Sequence, residues 1–292
     1  MKRSLARRLP FLRQWVQKLD ELEQRYARLK RQRDNLKAEL ADARAVLAPL
    51  EREKAEEFAQ QHKAQSRLPI PPDALRLRVH GAADEATFLS VGAAVASHVK
   101  RILEEEHCPL HTFERILDFG CGCGRVLRFF EDRPDSCQLF ATDVDVEAIN
   151  WCKDNLVSLA RFTTNATHPP LWYENDFFDL VLSISVFTHL PESMEQFWLA
   201  ELLRIAKPGA ILLLSIHGNR SFRNVPANSY EELASRGFCY AHCGSTAGLP
   251  EYYQTSFHTE EYVRRHWATL FHIRRIVAIG HQDVVVCEKR IT

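Results

Sequence analysis

The chain has 292 residues, with 38 Lys+Arg against 38 Asp+Glu and 46% hydrophobic residues. That length supports one large domain with a core, plus an appendage. The balanced charge excludes a polycation built around a nucleic-acid groove, although residues 1–68 carry 17 Lys+Arg against 10 Asp+Glu and the remainder is net acidic.

In chain order, residues 1–8 are basic, but no apolar segment of a leader follows them. Nowhere does an apolar run approach the ~20 residues that span a bilayer. A soluble, cytoplasmic protein is expected, and the eight scattered cysteines fit a reducing compartment. From Leu12 to Leu50 apolar residues recur at alternating steps of three and four, interrupted only by Arg33. Such a heptad pattern over a charged surface predicts a coiled-coil helix, with Pro49 expected to kink or stop it near residue 48. This helix is expected to form a homodimer through residues 12–50. Its cation excess, 11 against 3 acids in residues 1–33, offers peripheral contact with an anionic membrane as the alternative. Residues 1–67 are therefore read as a coiled-coil domain, and 68–84, opening on Leu-Pro-Ile-Pro-Pro, as a stiff linker.

Residues 85–292 read as an α/β domain. Helices are expected at 87–105, 124–131, 146–156, 192–206 and 259–270. Strands are expected at 115–119, 138–142, 161–164, 178–186, 210–216, 273–279 and 283–288. Apolar strands alternating with helices give a parallel sheet covered on both faces. Only Gly280-His281-Gln282 separates the last two strands, too few residues for a parallel crossover, so these must pair antiparallel.

The first strand runs into Asp118-Phe-Gly120-Cys-Gly122-Cys-Gly124-Arg125, a turn where glycines let backbone approach a ligand. Arg125 stands where a dinucleotide loop needs its third glycine, and a phosphate loop fails as well. What remains suits a ligand with nucleoside and amino-acid ends but no phosphates. In an open sheet such a ligand lies at the carboxyl ends of the strands. There Asp118 can meet a cationic amino group, and Asp143 can accept both hydroxyls of a ribose. Asn165 can read an adenine edge, with Val144 and Ala166 packing on the base. Ser185, near the end of the fourth strand, completes the candidate contacts.

At this point the chain resembles the class I S-adenosylmethionine-dependent methyltransferases. The matching segments are LDFGCGCGRVLR (117–128), ATDVD (141–145), FDLVLSISVFTHL (178–190), LLRIAKPGAILLLS (202–215) and QDVVVCEK (282–289). The resemblance implies a Rossmann-like seven-stranded sheet in the order 3-2-1-4-5-7-6, strand 7 antiparallel, with S-adenosyl-L-methionine as cofactor. The CGCGR loop and the SVFTHL segment look most like small methyltransferases associated with glycosyltransferases and cell-surface glycan assembly.

Methyl transfer to an alcohol needs a proton acceptor, for which histidine suits. His189, His217 and His258 are the candidates. Residues 218–257, rich in Gly, Ser, Asn, Pro and aromatics, are read as a substrate lid. In it Tyr240, Tyr252, Tyr253 and Phe257 could stack on a ring. Cys239, His242 and Cys243 are too few and too cramped for zinc, so no metal is expected. The expected acceptor is a small molecule or a glycan. The alternatives are protein or RNA methylation recruited by the basic helix, or a scaffold that retains the fold. Nucleic acid is disfavoured, because Ser183-Ile-Ser-Val186 stands where amino-group methylases of nucleic acids carry an N-P-P-[YF] tetrapeptide.

Overall fold

The computed structural model describes residues 10–66, 68–242 and 249–291. The chain divides into two compact units, residues 1–57 and 58–292. The first consists of most of helix α1 (Pro10–Gln65), which continues unbroken through Pro49. The expected stop near residue 48 does not occur. The N–H bond lost at Pro49 leaves a helix of 56 residues intact.

In the second unit, the segment expected to be a linker contains helix α2 (Asp73–His80), ended by Gly81 in the left-handed conformation at φ 76°. Arg76, 8% exposed, donates to the carbonyls of Pro71 and Ala83, and Arg128 Nη2 donates to the Pro69 carbonyl at 2.5 Å. Residues 68–83 are thus strapped to the body rather than extended in solvent. Helix α3 (Glu85–Glu105) follows, its first turn capped by the Asp84 carboxylate, which accepts from Thr87 N at 2.7 Å.

The sheet contains β1 (Arg115–Phe119), β2 (Gln138–Asp143), β3 (Arg161–Thr164), β4 (Phe178–Ser183) and β5 (Ala206–Ile216), then β8 (His272–Ile279) and β9 (Gln282–Glu288). Its order is β3-β2-β1-β4-β5-β9-β8. Strands β1 to β5 pair in parallel; β9 pairs antiparallel with both β5 and β8. This is the Rossmann-like methyltransferase sheet, with β8 and β9 as the sixth and seventh strands of the expected order. The strands are continuous apolar runs because both faces are covered. Leu180, Leu182 and Leu213 face one buried cluster, while Val181, Leu212 and Leu214 face the other.

Helices α4 (Val146–Asn155) and α5 (Glu192–Ile205) occupy their expected places. The helix expected at 124–131 is instead a turn followed by a short 3-10 segment, Leu127–Phe130. Gly124, at φ 76°, holds the chain in a left-handed bend that an α-helix cannot include. Residues 218–257 fold into helix α6 (Tyr230–Arg236) and a two-stranded hairpin, β6 (Phe238–Ala241) with β7 (Thr255–His258). Helix α7 (Glu260–His266) leads from it back to β8.

Candidate functional site

The carboxyl ends of β1, β2, β3 and β4 open on one cavity of about 900 Å³. Asp118, Gly120, Gly122, Asp143, Val144, Asn165 and Ser185 all line it. Gly124 and Ala166 do not. A Cβ on Gly124 would meet Leu156 Cδ1 at 2.8 Å, so that glycine serves packing behind the turn rather than access for a ligand. Ala166 lies exposed beyond the strand end.

Gly120 and Gly122 are required by both conformation and space. Their φ values are 82° and 53°, and an added Cβ would meet Val186 Cγ2 at 2.1 Å and Val79 Cγ2 at 2.6 Å respectively. Asp143 fixes the turn: its Oδ2 accepts from Gly122 N at 2.7 Å and its Oδ1 from Asp145 N at 2.9 Å. Each oxygen keeps a second lone pair, so the carboxylate can still accept from a pair of hydroxyls. Burial nevertheless pushes its pKa up, against the pull of those amides. Asn165 is more committed than expected. Its Oδ1 accepts from Thr142 Oγ1 at 2.8 Å and its Nδ2 donates to the Ala166 carbonyl at 2.7 Å. It braces the end of β3, with one donor and one lone pair left over.

Asp118 is 4% exposed, and no donor among the described residues reaches its carboxylate. Burial, followed by the nearby Asp143 charge, pushes its pKa from 3.8 to about 7, with Arg125 opposing. Arg125 also lines the cavity. Its buried Nε has no partner and its Nη1 points to His80 Nδ1 at 3.3 Å. A buried carboxylate and a buried guanidinium, both short of partners, thus share one pocket wall.

The three histidines do not converge on the cavity. His258 is fully buried, with its Nε2 2.6 Å from Glu195 Oε2, and Glu195 also accepts from Trp267 Nε1 at 2.8 Å. Enclosed in that network, it cannot reach an acceptor. His189 stacks on Tyr253 with ring centres 4.1 Å apart, and its Nδ1 pairs with the Gln254 carbonyl. His217 pairs through Nδ1 with the Ser256 carbonyl at 3.2 Å. Burial lowers their pKa values to about 4 and about 3. Both are neutral at physiological pH and weak as bases. Their contacts run to the lid, which they brace.

The segment after β6 supplies Leu249, Tyr252 and Tyr253 to the cavity; the Tyr253 hydroxyl donates to the Ser185 carbonyl at 3.2 Å. Phe257 is 1% exposed in the lid's own core, and the Tyr240 hydroxyl donates to the Tyr252 carbonyl. Cys243 lies outside the described residues. On the other side α2 brings Arg78 and Val79. Arg78 Nη1 pairs with Asp145 Oδ2 at 2.8 Å and its Nη2 pairs with Glu147, fastening α2 to the start of α4. Sequence reasoning missed these two residues and Arg125, although prolines before Asp73 and Gly81 after His80 are ordinary helix boundary signals.

A family model described as a methyltransferase domain matches residues 116–209, from β1 into β5. Among solved structures, the chain is similar to an S-adenosylmethionine-dependent methyltransferase of Methanosarcina mazei, at 21% identity and TM-score 0.46, over 61% of this chain and 93% of that one. It is also similar to one from Clostridium acetobutylicum, at 11% identity and TM-score 0.48, over 68% and 92%. A third is the magnesium protoporphyrin IX methyltransferase of Synechocystis with bound S-adenosylhomocysteine, at 16% identity and TM-score 0.47, over 70% and 86%. The strand order, the glycine turn and the match over 116–209 are those of a methyltransferase domain, the class expected to use S-adenosylmethionine.

The residues present fit that cofactor. The unpartnered Arg125 Nε suits its carboxylate, Asp118 its ammonium group, and the spare lone pairs of Asp143 its ribose.

Proposed function

We propose that the protein transfers a methyl group from S-adenosylmethionine to an oxygen of a small molecule or a glycan intermediate, as the small methyltransferases of glycan assembly do. The observation that carries this reading is that the cavity is walled on two sides. Lid residues Leu249, Tyr252 and Tyr253 roof it on one side and α2 on the other. A compact acceptor bearing one hydroxyl matches such an entrance, whereas a folded protein or an RNA helix needs an open groove.

The cofactor supplies a methyl group on a cationic sulfur, already activated for in-line displacement. The protein's residues align and exclude water. Asp118, Asp143 and Arg125 fix the donor's polar ends. Tyr253, held by Ser185 and stacked on His189, keeps the lid over the strand ends. Neutral His189, with Nδ1–H given to the Gln254 carbonyl, leaves Nε2 as an acceptor.

The test is to incubate the protein with methyl-labelled cofactor and separate fractions of small molecules, glycolipids, protein and RNA. Label in the small-molecule or glycolipid fraction is expected. Label confined to protein or RNA overturns the acceptor assignment, and cofactor binding without any transfer favours the scaffold alternative.

A further inference from the structure

Among the described residues, the apolar stripe of α1 is exposed. Its large apolar side chains from Trp15 to Leu50 are 44% to 73% exposed in heptad positions, a pattern that water does not tolerate on an isolated helix. With Tyr26, Arg33 and Leu40 at a and Trp15, Leu22 and Leu36 at d, three features of the sequence choose among possible occupants.

The first is Arg33 at a core position. A parallel pair would set the two Arg33 guanidinium groups against each other on the axis, whereas an antiparallel pair sets Arg33 opposite Leu29 and keeps the two charges apart. The second is the charge gradient along the helix. Residues 10–31 carry six cations against three acids, and residues 32–57 carry five against seven. Head-to-tail alignment lays the cationic half of one helix on the acidic half of the other. The third is the pattern of flanking pairs. The antiparallel register that faces Trp15 with Leu47 and Leu22 with Leu40 also faces Arg25 with Glu39 and Glu23 with Lys37, leaving only Lys30 across from itself. A parallel register also pairs Lys18 with Glu23 and Glu39 with Arg44, but it places Arg25 against Lys30 twice.

We infer that α1 docks on a second copy of this chain as an antiparallel coiled-coil pair, centred near residue 31. Each helix then buries its stripe against the other from Trp15 to Leu47.

The experiment uses the full chain with a p-benzoyl phenylalanine photo-cross-linker incorporated at position 15. Mass is read by light scattering and cross-linked peptides by mass spectrometry. A dimer whose cross-links join position 15 to the segment around Leu47 is the expected result. A monomer, with or without binding to anionic vesicles, overturns the proposal. So does a dimer cross-linked from 15 to 15, or a cross-link into residues 58–291. The substitution Leu29→Asp on the same stripe is expected to lower the dimer fraction at least tenfold while S-adenosylhomocysteine binding stays unchanged. Failure of that binding in the unaltered chain would count against the cofactor assignment and leave the dimer untouched.

Discussion

Asp118 concentrates the energetic conflict of the site. It is buried with a pKa near 7 instead of 3.8, so in the empty pocket it ionises only as pH rises through about 7. A carboxyl group with a raised folded-state pKa stabilises the fold most below pH 4 and loses that contribution as pH rises to 7. Two outcomes follow from this sign. S-adenosylhomocysteine should bind more tightly as pH rises from 6 to 8, because the ammonium group needs the ionised partner; titration calorimetry across that range checks it. Asp118→Asn should stabilise the ligand-free protein at pH 8 by a few kcal/mol at most, read as a higher melting temperature, yet weaken ligand binding by about tenfold or more. Gly120→Ala should cost roughly 2–4 kcal/mol, read as a lower melting temperature, since its Cβ would strike Val186 at φ 82°. The acid-ended strands and glycines were legible at this scale because they follow from strand-end chemistry. Arg125 was visible in the sequence only as the residue that spoiled a dinucleotide motif. Its role depends on burial, which one sequence does not display.

At the scale of elements, α2 forms one wall of the pocket, fastened by Arg78 to Asp145 and Glu147. Arg78→Ala should raise the KM for the methyl donor by about tenfold, about 1.4 kcal/mol, and change kcat much less; steady-state kinetics separates the two. The order and type of the strands were readable from apolar runs and short connections, and every sheet strand was expected within a few residues. What escaped was local. Proline-rich spacing at 68–72 reads as extended chain, but Arg76 and Arg128 pin it to the body. A periodic pattern at 124–131 reads as helix, but the glycine turn consumes its first residues. Helix α1 passes through Pro49, where sequence rules place a break. His258 was expected only as a residue before the last helix, and it turns into the core to meet Glu195. Its direction is set by α5 and α7 packing, a long-range fact with no local signature.

For the whole molecule, every residue lining the cavity lies within residues 78–253, inside the second compact unit. The residues that would hold the methyl donor therefore all belong to that unit. No helix among the described residues is long and apolar enough to cross a membrane. The most direct measurement of the account is calorimetric titration of the full chain with S-adenosylhomocysteine, beside Asp143→Ala. The wild-type chain should bind one equivalent per subunit. The variant, lacking the acceptor of the Gly122 and Asp145 amides, should bind at least tenfold more weakly. Absence of binding to the wild-type chain, or undiminished binding by the variant, would contradict it.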